Sequence, residues 1–168
     1  MKNICLAIVL IFMLCSCGYQ LVGGTGGKGI YGGDISSVYL SVFKNSTFEP
    51  HASLYVTDAF SRELLSAGLF KLNKEDSDGF LEGNIKTISI LPSAMSSVGV
   101  VVEKSMYVTA EVSLFRKNGS FIKKWTLTEY EIFRTDDINS EDYNKRDALQ
   151  RLSERMARKL TSMMLVEY

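Results

Sequence analysis

Met106, Val108, Ala110, Val112 and Leu114 alternate without a break with Ser105, Tyr107, Thr109, Glu111 and Ser113. A period of two puts the first set on one face of a β-strand and the second set on the other. The strand lies within a stretch of roughly 55 residues, starting at Phe80, that reads as strand for most of its length. Upstream, Leu81, Gly83 and Ile85 oppose Glu82, Asn84 and Lys86. The apolar phase then shifts to Ile88 and Ile90, which predicts a bulge or a sharp twist. Pro92 to Gly99 reads as a polar loop. Downstream, Lys117-Asn118-Gly119-Ser120 carries the Asn-Gly signal of a tight hairpin. Phe121 to Phe133, with Trp125, Leu127, Tyr130 and Ile132, is the return strand. The middle of the chain is therefore a three-stranded meander.

The flanks supply what covers it. Ile35 to Phe43 predicts a first strand, with Val38, Leu40 and Val42 on one face and Tyr39, Ser41 and Phe43 on the other, closed by the turn-formers Asn45-Ser46. Pro50 suits the first turn of a helix, and Val56, Ala59, Phe60, Leu64 and Ala67 follow at helical spacing. Asp58 and Arg62, four apart, fall on its surface, and Gly68 is a good stop signal. Leu69 to Leu72 predicts a short second strand. Asn139 and Ser140 can cap a second helix, with Glu141 and Asp142 in its first turn. Leu149, Leu152, Met156, Leu160 and Met163 form its apolar stripe, while Arg151, Arg155, Arg158 and Lys159 lie elsewhere on a helix that runs to about Met164. The expected fold class is α+β: a two-layer sandwich, mainly antiparallel sheet, with two helices packed on one face. Tyr107, Thr109, Glu111 and Ser113 mark the open face, polar enough to meet water or a partner.

The beginning of the chain is a different kind of segment. Lys2 precedes an unbroken apolar run from Ile4 to Leu14, and Ser16 follows, the pattern of an export signal. As a helix the run spans only about 16 Å, well short of a ~30 Å hydrocarbon core. The three cysteines, Cys5, Cys15 and Cys17, all fall in the first 17 residues, so neither a disulfide framework nor a distal Cys-ligated metal site can be built. Leu14-Cys15-Ser16-Cys17 resembles the lipobox of bacterial lipoproteins, in which the last cysteine is acylated and becomes the new N-terminus. Covalent diacylglycerol and N-acyl chains are thus expected at Cys17, enough chains for stable attachment to a membrane. Gly18, where aspartate would retain a lipoprotein at the inner membrane of enteric bacteria, favours the outer membrane.

Gly23 to Gly33 could also suggest a phosphate-cradling loop. That reading fails, since Gly27-Lys28 is followed by Gly29 where a P-loop needs Ser or Thr, and position 22 is Val22. The organisation is a signal peptide over 1–16, a lipidated N-terminus and Gly-rich tether over 17–34, and a domain over 35–168. Removing the signal leaves 168 − 16 = 152 residues, with 18 basic against 19 acidic side chains once Lys2 is gone. There is no basic excess of the kind that binds nucleic acid.

Catalytic chemistry is poorly supplied. His51, at the start of the first helix, is the one histidine, so a histidine-based triad or metal site has too few members. Asp136-Asp137 and Glu141-Asp142 are sequence neighbours in a loop and at a helix start, not carboxylates converging on a cleft. No enzyme, cofactor or metal is expected. Arg116, Lys117, Lys123 and Lys124 bracket the hairpin turn, and Lys104 lies on the adjoining strand. These five could contact phosphates of an anionic lipid headgroup, or simply keep exposed strand edges soluble.

Several segments together resemble the LptE family of lipopolysaccharide-assembly lipoproteins. They are Cys17-Gly18-Tyr19-Gln20-Leu21, "ISSVYLSVFKNSTFEP" from Ile35 to Pro50, "LLSAGLFKL" from Leu64 to Leu72, "DGFLEGNIKTI" from Asp78 to Ile88 and "RDALQRLSERMARKL" from Arg146 to Leu160. Their order and spacing, more than any one of them, carry the similarity. The resemblance implies a non-enzymatic lipoprotein of the cell outer membrane, lipid-anchored, with its domain on the periplasmic side within the lumen of an LptD-like β-barrel. There it would plug the barrel, assist its assembly and support lipopolysaccharide transport to the cell surface. The alternative is a lipid-anchored adaptor of another envelope or secretion complex. The Pro92 to Gly99 segment, one tip of the domain, holds no basic residue, so a lipid phosphate would have to meet Lys104 or the Arg116–Lys124 hairpin.

Overall fold

The computed structural model describes residues 35–135, 137 and 139–166. The export signal, Cys17 and the Gly-rich tether lie outside the described residues. The elements run β1 (Ser37–Leu40), β2 (Lys44–Asn45), α1 (Ala52–Ala67), β3 (Lys71–Leu72), β4 (Gly79–Met95), β5 (Val101–Arg116), β6 (Phe121–Arg134) and α2 (Glu141–Val166). The strands form one sheet in the order β3-β1-β4-β5-β6, with β2 continuing the lane of β1 beside β4. Both helices pack on one face of it, giving the α+β two-layer arrangement that the sequence predicts.

The three long strands are antiparallel, as their patterning requires. The short N-terminal strands are parallel instead, Ser37 pairing with Lys71 and Val38 with Gly79, which makes the sheet mixed. Parallel neighbours cannot be joined by a tight turn, and α1 is the crossover between β1 and β3. The two-residue β3 is shorter than the Leu69–Leu72 strand expected. Asp78 fastens the start of β4 to the start of β1. Its Oδ2 accepts from the backbone N–H and the hydroxyl of Ser36 (3.0 and 2.8 Å) and of Ser37 (both 2.9 Å). These hydrogen bonds, those from Ser36 foremost, hold the carboxyl well below the usual carboxylate range.

The first strand differs from its sequence reading. Regular pairing stops at Leu40, and Phe43 turns inward (1% exposed) while Val42 turns out (67%). Residues 41–43 carry the chain from β1 to β2, which breaks the period of two. The Phe43 N–H donates to Thr57 Oγ1 at 3.0 Å, and the ring lies 4.7 Å from that of Phe60. Asn45, expected to close the strand, does both jobs: it pairs with Ile85 and its Oδ1 accepts from the Thr47 N–H at 2.9 Å.

The predicted bulge is present as a register shift between Ile85 and Thr87. Pro92 to Gly99, in contrast, is strand over its first half. β4 runs through Pro92 to Met95, with further register shifts after Pro92 and Ala94, and the turn is confined to 96–100. There the Ser96 N–H donates to the Val100 carbonyl at 2.8 Å and Gly99 takes φ 80°. Proline is tolerated in a strand whose N–H side faces away from a partner, which is why its presence misleads.

α1 ends as expected, at Gly68 with φ 63°. His51 sits just before the helix, exposed and left-handed at φ 61°, with its carbonyl accepting from the Leu54 and Tyr55 N–H groups. Pro50 therefore precedes the first turn. At α2 the Ser140 hydroxyl donates backward to the Asp137 carbonyl at 3.1 Å instead of capping a helix N–H. Leu149, Leu152, Met156, Leu160 and Met164 of α2 are buried against Met106, Val108, Ala110, Val112, Leu114 and Leu127. Burial of each large apolar side chain contributes about 1.5–3 kcal/mol. Met163 is only partly buried, so Met164 ends the stripe.

Candidate functional site

The five basic residues singled out by the sequence do not form one cluster. Lys104 belongs to the same strand as Arg116, not to an adjoining one, and lies at its opposite end. Twelve residues of strand put them about 40 Å apart. Lys104 faces the helices, where its Nζ meets Glu141 Oε1 at 2.6 Å, with both side chains about one third exposed. The acidic first turn of α2 is thus tied to β5.

The other four share the β5–β6 hairpin. The turn closes through Gly119 N–H to the Arg116 carbonyl (2.8 Å) and Ser120 N–H to Asn118 Oδ1 (2.9 Å), with Gly119 at φ 83°. Lys117 Nζ lies 2.9 Å from Asp76 Oδ1, and Asp76 raises the ammonium pKa, with a smaller push from Asp78. On β6, Lys123 and Lys124 are sequential and so project to opposite faces of the sheet. Lys124 Nζ is 2.9 Å from Glu111 Oε1, and Lys86 approaches the same carboxylate at 4.0 Å. The hydrogen bond from Lys124 lowers the Glu111 pKa, against a smaller opposing effect of desolvation. Arg116 and Lys123 are also engaged in interactions. An anion reaching this hairpin must therefore displace or share carboxylate partners, which favours a polyanion over a single weak charge.

The open face of the sheet carries more than its polar residues suggested. Tyr107 and Tyr130 stack with ring centroids 5.6 Å apart and are both exposed. Beside them the Thr109 and Thr128 hydroxyls lie 3.1 Å apart. At the hairpin end Phe80 stacks on Phe115 at 5.0 Å, and Phe121 meets Phe115 edge-on at 5.8 Å. At the other end Leu91 and Ile132 are exposed. The face is a polar band between two apolar patches. The Asn-Gly signal locates the hairpin, but the loop spans 117–119, with the Arg116 N–H donating to the Ser120 carbonyl at 2.9 Å. It is the register shift between Leu114 and Phe115 that brings Tyr107 opposite Tyr130 and Thr109 opposite Thr128.

The basic row of α2 is not merely solvated. Arg155 donates to Glu131 and to the Tyr130 carbonyl, Lys159 pairs with Glu129 at 2.5 Å, and Arg151 lies 3.6 Å from Glu131. These side chains strap the helix to the outer edge of β6. Among the described residues no group of three His, Cys, Asp or Glu side chains is gathered as metal ligands would be. No helix among them is long and apolar enough to cross a membrane.

A strand–helix–strand opening, a long antiparallel meander and a covering C-terminal helix define the class as a small α+β sandwich. The fold is shared with a minor lipoprotein from Acinetobacter baumannii (12% identity, TM-score 0.52, covering 77% of this chain and 91% of that one). It is shared equally with a PelC dodecamer subunit from Paraburkholderia phytofirmans (15%, TM-score 0.52, 83% and 92%). A protein from Xanthomonas campestris is similar in the same way (10%, TM-score 0.54, 80% and 90%). At such identities the likeness is one of fold. No curated protein sequence matches the chain. Within this class the assignment is specific: residues 35–164 match the family LptE, lipopolysaccharide-assembly, and the chain belongs to that family.

Proposed function

We propose that this protein is an outer-membrane lipoprotein that plugs and assists assembly of an LptD-like β-barrel, and so supports lipopolysaccharide transport to the cell surface. The observation that carries the reading is the family match, which spans the sandwich from β1 to the last turn of α2 and not one motif. Acyl chains on Cys17 hold the domain at the membrane, and the segment 17–34 links them to β1. A two-layer domain with a charged, hydroxyl-rich surface suits the polar, water-filled interior of a large barrel. The exposed tyrosine pair and the phenylalanine series on the open face are the side chains best suited to anchor such a contact. The role is one of assembly and transport, with no bond made or broken by the chain.

The test is detergent extraction of outer membranes that carry a C-terminally tagged copy, followed by pull-down and mass spectrometry. One large β-barrel recovered in near-equal amount supports the plug. Recovery with a soluble periplasmic complex would replace it with the adaptor reading.

A further inference from the structure

The two outer edges of the long meander are treated differently. On β6 the edge carbonyls are occupied: Tyr130 O accepts from Arg155, Thr128 O from Lys159 Nζ (3.4 Å) and Arg134 O from Asn144 Nδ2 (3.1 Å). On β4 the neighbouring lane is filled in sequence by β1, which pairs with Gly79 to Leu81, and by β2, which pairs with Asn84 and Ile85. The last backbone bond there runs from the Ser46 N–H to the Ile85 carbonyl at 3.0 Å. The chain then turns away toward α1. From Lys86 onward β4 has no strand on that side among the described residues.

The vacated lane is shaped. A groove of about 370 Å³ lies along it, lined on one side by Ser46, Thr47, Phe48 and Glu49 and on the other by β4 from Lys86 to Ile90. Phe48 is fully exposed at its rim. The shift at Lys86 moves the alternation by one residue, so the N–H and C=O groups of Ile88 and Ile90 point into the lane while those of Thr87, Ser89 and Leu91 pair with β5. Pro92, next in that series, has no N–H to leave unpaired and ends the stretch. Exposed strand edges usually carry charge against strand addition. Here no residue from Thr87 to Val102 is charged.

We propose that the lane beside Lys86–Leu91 receives an extended segment of a partner polypeptide, which adds one strand to the sheet. A lipid bilayer does not suit it, because hydrocarbon cannot satisfy the backbone groups of an open edge. The 46–49 segment stands opposite β4 across the groove, so an occupant of the lane runs between the two. Lys86 at the entrance, nearly half exposed and only 4.0 Å from its shared carboxylate, favours a segment with an acidic residue at that end. The proposal is independent of whether the partner is a barrel.

The test is hydrogen exchange resolved to single amides on the full mature chain, alone in detergent and in the complex extracted from membranes. The Ile88 and Ile90 amides are expected to exchange at least tenfold more slowly in the complex and freely in the isolated chain. Equal exchange in both states overturns the proposal. So does protection in the isolated chain: constant protection would place its own residues 17–34 in the lane, and concentration-dependent protection a second copy. Protection by phospholipid vesicles alone, or extraction with no polypeptide partner, overturns it too. An independent check uses Ile90→Pro, which removes an N–H facing the lane, against Ile90→Ala, which loses the side chain but keeps the N–H. Only the proline variant should lose the partner, by tenfold or more, at matched urea midpoints; equal recovery refutes the lane. Mass spectrometry of the same extract identifies the partner, so a non-barrel partner with protected amides would sink the plug and leave strand addition standing.

Discussion

Gly83 in the middle of β4 offers the sharpest check on how the core is built. A Cβ at this position would lie 2.3 Å from Cε1 of Phe43 and 2.4 Å from two other ring atoms. Carbon atoms in ordinary contact are about 3.5–4.0 Å apart, so Gly83→Ala requires the ring to move by roughly 1.3 Å. It has little room, since Phe43 is 1% exposed and tilted against Phe60. Overpacking of this kind costs about 1–3 kcal/mol. The smaller entropy of the unfolded alanine chain offsets about 0.4–1 kcal/mol of that. The steric effect wins, and Gly83→Ala is expected to destabilise by about 1–2 kcal/mol. Phe43→Ala alone should cost about 3–5 kcal/mol. With the ring gone the same methyl meets open space, so Gly83→Ala should become neutral or mildly stabilising in the Phe43→Ala background. The cycle then shows a coupling of about 2 kcal/mol, in the range found for touching residues. The assay is urea unfolding of residues 18–168, followed by fluorescence of Trp125, which is buried. For a slope of about 1–3 kcal/mol/M the first substitution moves the midpoint by roughly 1 M. Additive effects, or a single variant as stable as the parent, would refute the packing argument.

Four further outcomes are expected. Because hydrogen bonds depress the folded pKa of Asp78, the unfolded chain takes up its proton first as pH falls. The stability Asp78 contributes is full above about pH 5 and drains away below about pH 4, and Asp78→Asn should flatten that limb of the urea-midpoint profile between pH 6 and 2.5. Leu152→Ala removes a fully buried side chain from the α2 stripe and should cost about 2–5 kcal/mol by the same denaturation assay. Cys17→Ser should leave the chain without acyl chains by intact-mass measurement and shift it from the membrane to the soluble envelope fraction. Lys117→Glu combined with Lys124→Glu should weaken retention of lipopolysaccharide at low salt and leave only a small difference at 0.5 M, where screening is short-ranged; retention equal to the parent at both salts would remove the hairpin from lipid contact.

The sequence by itself determined the elements and their inward faces wherever the pattern was local and long. The alternation through β5 leaves one register for the core, the Asn-Gly signal locates the β5–β6 turn, and the phase shift after Ile85 marks the bulge. A stripe of five apolar residues is enough to seat α2. The family assignment was legible for the same reason, because it rests on the order of these segments. What only tertiary structure decided is everything set by neighbours distant in the chain. Phe43 turns inward against its local pattern because Gly83 leaves a hole beside Phe60. β4 continues through Pro92 because that side of the strand has no partner to lose. Lys104 and the β5–β6 hairpin separate because one uninterrupted strand holds them about 40 Å apart. Three of the basic residues meet carboxylates on other elements or other strands, so their charge reads differently in space than in sequence. Periodicity reports which way a side chain points along its own element. It carries no information about which element arrives opposite, and that is settled by the folded chain.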